Sequence, residues 1–151
     1  MIEGCASVEQ AGWLSLREAL WPHCARAEHR SEMKTLIANP ARYSQFVAYA
    51  DSGQAVGFVE ASVRIDHVNG ATTSPVAFLE GVYVVPEARR RGVAASLVAA
   101  VTQWALGVGC REFASDALLE NDTSQHVHRA LGFRETERVV FFCKALYPSV
   151  G

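Results

Sequence analysis

Apolar residues recur along this chain at two spacings, every second residue in some stretches and every third or fourth in others, and the switches between them mark the elements. Ile2 to Ala6 predicts a short strand, and Glu9 to Leu20 a helix with Trp13, Leu16 and Leu20 on one face, ended by Trp21-Pro22. A second helix is predicted over Ser31 to Ala38, with Ser31 as its N-cap and Pro40 just beyond its end. Phe46 to Tyr49 and Ala55 to Ile65 flank Asp51-Ser52-Gly53, a polar, glycine-containing connection that suits an antiparallel hairpin. Asn69-Gly70 supplies a second reversal, returning the chain as a strand over Ala77 to Val85. In Val93 to Val108, the residues Val93, Leu97, Val101, Trp104 and Val108 form one helical stripe, stopped by Gly107 and Gly109. Glu112 to Asp116 predicts a strand parallel to Ala77 to Val85, reached by a right-handed crossover. A helix over Asn121 to Leu131 then ends with Gly132 at C′, and Arg138 to Ala145 is a final strand. The predicted order is β-α-α-β-β-β-α-β-α-β, an α+β class with a mixed sheet and four helices.

Length adds that residues 1–151 make one domain, large enough to bury roughly two thirds of its unfolded surface. Half the residues are hydrophobic, a fifth are charged and the net charge is −2, which excludes a nucleic-acid binder built on a broad basic face. Cys5, Cys24, Cys110 and Cys143 show neither C-x-x-C pairing nor a zinc-like spacing with histidine, so they read as reduced, partly buried thiols and no metal is expected. The N-terminus lacks a basic region leading into an apolar core, and no apolar run approaches the roughly 20 residues that span a bilayer. The reading is a soluble cytoplasmic protein, without membrane association, internal repeats or low-complexity segments.

Candidate chemistry begins at Arg89-Arg90-Arg91-Gly92-Val93-Ala94, between the apolar run Phe78 to Val85 and the helix that starts at Val93. A strand that delivers glycine and small residues to a helix start lets unpaired N–H groups and the positive end of the macrodipole converge on an anion. Read this way the segment is a diphosphate cradle; read otherwise it is a basic surface turn capping an ordinary helix. Neither G-x-G-x-x-G nor G-x-x-x-x-G-K-[ST] occurs.

The spacing Arg89-x-x-Gly92-x-Ala94, preceded by Val84-Val85-Pro86, resembles the acetyl-CoA-binding motif of the GNAT N-acetyltransferase superfamily. Asn121 followed by His128-Arg129-Ala130-Leu131-Gly132-Phe133 resembles that superfamily's second recurrent block. With Ser62-Val63-Arg64, Val68-Asn69-Gly70, Phe78-Leu79-Glu80-Gly81, Phe113-Ala114-Ser115-Asp116 and Glu135 to Val140, the chain resembles the chromosomal branch of the aminoglycoside 6'-N-acetyltransferases. The resemblance implies the GNAT acyl-CoA N-acyltransferase fold, a central mixed and mostly antiparallel sheet with a splayed parallel strand pair. It also implies acetyl-CoA as cosubstrate, an aminoglycoside as acceptor and a homodimer. On it, the backbone of Val82, Tyr83 and Val84 receives pantetheine. Arg89 and Arg90 precede the amides of Arg91, Gly92, Val93 and Ala94, which hold the diphosphate, while Asn121 and His128 attend the thioester end.

An alkyl ammonium must lose a proton before it attacks a thioester, which costs roughly 4–5 kcal/mol at pH 7 from an ordinary value near 10.4. A carboxylate base is therefore useful, and Glu80 and Asp116 lead. Glu80 interrupts an apolar strand face, where an unpartnered carboxylate is expensive to bury, and Asp116 ends the parallel strand on the side where open sheets place ligands. The resemblance puts both in the aminoglycoside pocket, with Trp21 at its mouth, His67 where relatives carry tyrosine, and Glu137 as a further carboxylate. Base and binder are not separable here. The alternatives are that Glu80 pairs with an arginine such as Arg64, Asp116 caps the following loop, Trp21 packs in the core and Glu137 is solvated. His128 takes the place of a tyrosine thought to protonate the departing thiolate, or is an exposed helical residue with no role. The implied reaction is acetyl transfer to the 6'-amine by direct attack in a ternary complex, giving antibiotic resistance. The alternatives are a GNAT enzyme for another small amine, such as a polyamine or aminated metabolite, and a non-catalytic acyl-CoA sensor.

Overall fold

A computed structural model describes residues 1–147. Five strands form one sheet in the order β1 (Ile2–Gly4), β2 (Tyr43–Tyr49), β3 (Ala55–Arg64), β4 (Val76–Val84) and β5 (Phe113–Ala114). The first four pair antiparallel and β4 pairs parallel with β5. Four helices flank them: α1 (Trp13–Leu20), α2 (Arg26–Ala38), α3 (Val93–Gly107) and α4 (Asp122–Ala130). The mixed, mostly antiparallel sheet with a parallel pair is the class expected, with five strands among the described residues in place of the six predicted.

Side-chain alternation sorts the sheet into two faces. Val47 and Phe58, opposite each other on β2 and β3, bury against Trp13, Leu16 and Met33 of α1 and α2. Ala48, Val59, Ala61 and Leu79 point the other way and meet Leu97 and Val101 of α3. Desolvation in these layers pushes the Cys5 thiol up to about 12, with Glu60 and Glu3 adding to the shift, and burial also raises Cys110. Both are therefore protonated near neutral pH.

Several expected boundaries move. The first strand stops at Gly4 rather than Ala6, and α1 begins at Trp13 rather than Glu9. The residues between form turns tied down by Tyr49, whose hydroxyl donates to the Ala11 carbonyl and accepts from Gln10 Nε2. The second helix starts at Arg26, so Ser31 lies inside it and caps nothing; Ala25 stands at its N-cap with no side-chain bond. The strand predicted over Glu112 to Asp116 pairs only at Phe113 and Ala114.

The largest correction concerns Arg138 to Ala145, which forms no strand. A strand needs a neighbour for its N–H and C=O groups, and here none is supplied from within the described chain. Phe141 and Phe142 are accordingly 85% and 92% exposed.

Candidate functional site

The parallel ladder between β4 and β5 consists of Ala77↔Phe113 and Phe78↔Ala114, and there it stops. At the next step the Ser115 hydroxyl oxygen lies 3.3 Å from the Leu79 carbonyl, where a backbone N–H would continue the ladder. Beyond it the strands splay. Val85 N–H donates to the Val56 carbonyl, and the Tyr83 carbonyl faces Gly57, so these residues turn toward β3. By alternation Val82 and Val84 present their backbone groups to the opposite, open edge. The Val84 carbonyl on that edge accepts from Arg89 Nε at 2.9 Å.

The open edge leads into a short 3₁₀ turn, Pro86–Ala88, and then to the start of α3. Arg90 has φ 62 and Gly92, the N-cap, has φ 78, so the loop twice enters the left-handed region just before the helix. A glycine costs nothing there, whereas a residue with Cβ costs about 1–2 kcal/mol. No side chain caps α3, leaving the amides of its first turn unclaimed by capping groups. Arg89, Arg90 and Arg91 are all exposed, but Arg89 is tied back to Val84 and the Tyr83 ring, which leaves two, Arg90 and Arg91, for the cradle. Free first-turn amides, a positive helix end and two exposed arginines form an anion cradle. Gly92→Val is expected to weaken coenzyme A binding roughly 10-fold through left-handed strain, with the fold intact. Isothermal titration with coenzyme A measures it, and unchanged affinity would refute the cradle.

On the α1 and α2 side of the sheet lies a cavity of about 820 Å3, lined by Trp21, Pro22, His23, Tyr43 and Glu80 among others. Glu80 reaches it through a β-bulge. β3 residues Glu60 and Ala61 pair with Gly81 and Leu79, so Glu80 is one residue extra and its side chain is re-aimed. Its Oε1 accepts from Ser62 Oγ at 2.6 Å and from Arg64 at 3.0 Å. Oε2 has no hydrogen-bond partner among the described residues. The pairing with Arg64 therefore exists, and it leaves one carboxylate oxygen free.

Trp21 and Glu80 are thus brought together, but Asp116, His67 and Glu137 do not line this cavity. Asp116 is exposed two residues past β5. His67 and Glu137 are exposed on two segments that touch where Gly70 meets Thr136. Thr72 and Thr73 clamp the His67 loop to Glu112, which accepts both backbone N–H groups, at 2.9 and 2.7 Å, and both hydroxyls. These bonds, the Thr73 hydroxyl first, hold the Glu112 carboxyl below its ordinary 4.5. The folded value is depressed, so the stabilisation is complete above pH 4.5 and fades as pH falls through the folded value. The stability difference between wild type and Glu112→Gln is expected to shrink on that acid limb. Urea unfolding at several pH values measures it, and a gap independent of pH would contradict the clamp.

Asn121 accepts from Ser124 N–H at 3.0 Å and so caps α4. His128 is half-buried: Nδ1 sits 2.7 Å from the Ser124 carbonyl, which makes it the donor, and Nε2 lies 2.7 Å from Ser115 Oγ. It is not a free surface residue. Ser115, which ties α4 to the splay point, is missed by reading the sequence, as is the buried group under Trp21. There Arg17 holds Glu60, His29 and Glu32, and Trp13 Nε1 donates to Glu60 at 2.9 Å. The signal was present, since Arg17 and Glu60 are charged residues within apolar faces. Cys24, His29 and Glu32 bring ligand-type atoms within 4.8 Å of one another, but Arg17 already donates to His29 and Glu32 as the local cation.

Residues 13–133 match the model of the acetyltransferase (GNAT) family. An aminoglycoside N(6')-acetyltransferase type 1 from Acinetobacter genomosp. 13 is 53% identical over 134 residues, which are 89% of this chain and 90% of that one. The crystal structure of the aminoglycoside 6'-N-acetyltransferase AAC(6')-Ih from Acinetobacter baumannii matches with TM-score 0.91 and 49% identity, covering 97% of this chain and 99% of that one. AAC(6')-Iy, solved in complex with the bisubstrate analog CoA-S-monomethyl-acetylneamine, matches with TM-score 0.89 and 46% identity, covering 96% and 97%.

Proposed function

Because the chain belongs to the GNAT acetyltransferase family, among relatives that are aminoglycoside 6'-N-acetyltransferases, we propose that it moves the acetyl group of acetyl-CoA to the 6'-amine of aminoglycosides and so gives resistance to them. The observation that carries this reading is the open β4 edge beyond Phe78, running from the anion cradle at α3 toward the bulge that aims Glu80 into the cavity.

Pantetheine is taken up as a short additional strand on the Val82 and Val84 backbone, and the diphosphate on the α3 amides. The acceptor's ammonium is held by carboxylates, Glu80 first, and its sugar ring lies against the Trp21 indole. Glu80, through Oε2 or a water, takes the amine proton, and the amine attacks the thioester carbonyl directly. Asp116, His67 and Glu137, which lie outside this cavity, meet the acceptor's remaining ammonium groups at the surface beyond it. Asn121 orders the helix beside the thioester. His128 and Ser115 stand by the departing sulfur. A chain that consumes acetyl-CoA needs a pool of that thioester, which supports a cytoplasmic location.

The test is thiol release from acetyl-CoA with kanamycin or tobramycin, with an aminoglycoside lacking a free 6'-amine, and with spermidine. Release confined to the first group is expected. Preference for spermidine would favour a different small amine, and no release with any amine would favour a sensor.

The assembly is a homodimer on this reading. Val140, Phe141 and Phe142 lie largely exposed on a segment without strand pairing, and β5 leaves an open sheet edge among the described residues. Such an arm requires a covering surface, and a second copy offers the same arm and edge in return. Light scattering is expected to give twice the chain mass for wild type and the single mass for Phe141→Ser/Phe142→Ser; a monomeric wild type would sink the dimer.

A further inference from the structure

Trp21 is gripped on several sides. Its indole stands edge-on to Phe58, with centroids 5.7 Å apart at 74°. The Arg17 guanidinium carbon lies 4.9 Å from its ring centroid, and its carbonyl sits 3.2 Å from His29 Nε2. Gly81 of β4, next to Glu80, completes the grip by omission: a Cβ there would come within 2.6 and 2.8 Å of the indole edge.

The groups behind the ring are themselves fixed. Arg17 NH1 lies 2.6 Å from both Glu60 oxygens, and Arg17 Nε donates to His29 Nδ1 at 3.2 Å. An arginine Nε only donates, so His29 Nδ1 accepts, and the imidazole hydrogen sits on Nε2, aimed at the Trp21 carbonyl. Arg17 and His29 are essentially inaccessible to water. A buried ion pair is weak evidence for stability, since apolar residues of equal volume often serve as well. Its directional bonds do what apolar packing cannot, fixing one orientation of the group they hold.

We propose that Arg17, His29 and Gly81 are positioning residues that hold Trp21 as a fixed wall beside Glu80, and thereby set how tightly the aminoglycoside is bound. This rests on the reading that the acceptor occupies the cavity bounded by Trp21 and Glu80. Arg17 supports the ring, His29 fixes its backbone, and Gly81 lets it lie close against β4.

The experiment is a double-mutant cycle in the full-length enzyme, with kanamycin as acceptor and thermal melts as a folding control. Trp21→Ala and Gly81→Ala are each expected to raise the kanamycin KM roughly tenfold, the factor given by losing a stacking-sized contact of about 1.4 kcal/mol. The KM for acetyl-CoA should hold. In the Trp21→Ala background, Gly81→Ala is expected to change the kanamycin KM by less than about twofold, because the group it displaces is gone. His29→Leu should raise the kanamycin KM, while His29→Gln, which keeps one donor and one acceptor, should restore it. If His29→Leu fails to fold, the Gly81 and Trp21 cycle carries the test. Additive effects of Gly81→Ala and Trp21→Ala would overturn the inference. So would an effect of Trp21→Ala without one from Gly81→Ala, and in that case the cavity reading would stand. An unchanged kanamycin KM in Trp21→Ala would sink both together.

Discussion

Glu80→Gln is expected to lower kcat with kanamycin by about 10²–10⁴-fold, the range that a positioned general base contributes, while the KM for acetyl-CoA stays near its wild-type value. The amide keeps the size of the carboxylate, and its Oε1 can still accept from Ser62 and Arg64, so the bulge should survive. What it loses is the ability to take a proton at the position of Oε2. Asp116→Asn is expected to act in the same direction with a smaller effect on kcat, since Asp116 lies outside the cavity walls. A base is read in kcat and a binder in KM, so steady-state kinetics on both variants separate the two roles. Acetylation at the wild-type rate by both would overturn the assignment.

Glu60→Ala should destabilise the protein by about 3–5 kcal/mol, the cost of leaving one partner of a buried ion pair uncompensated. Burial pushes the Glu60 carboxyl upward, against the pull of Arg17 and of the Trp13 N–H. Once it is removed, the buried Arg17 keeps only Glu32, which is more than half exposed, and His29. In a chain of this size the loss corresponds to a fall in Tm of roughly 6–20 °C. Removing both charges, as in Arg17→Met/Glu60→Met, should recover most of it, because no orphaned ion remains. A melt of Glu60→Ala within about 2 °C of wild type would show that Glu32 alone satisfies Arg17.

Legibility followed sequence distance. The cradle was readable because Arg89 to Ala94 is contiguous and its chemistry is backbone chemistry at a helix start. Glu80 was readable because a carboxylate broke an apolar strand, although the bulge that aims it depends on pairing with β3. The start of α2 was not readable, since His23-Cys24-Ala25 carries no capping signal. Arg138 to Ala145 has strand composition, but composition cannot supply a neighbour. The Arg17, His29 and Glu60 group joins α1, α2 and β3, positions up to 43 residues apart, so only the folded chain reveals that these charges satisfy one another. Asp116, His67 and Glu137 show the opposite limit, because their common site was inferred from resemblance and they line no shared cavity with Glu80.

The extra residue in β4 has a consequence for how this strand tolerates change. Glu80 is both the carboxylate and the spacer that puts the two halves of the strand out of phase with each other. Deleting it would not merely subtract a proton acceptor; it would bring the halves back into step and let pairing with β3 run on without a break. Chemistry and geometry are carried there by a single position, so the strand can lose its acid by substitution and keep its shape, but cannot lose the residue and keep either.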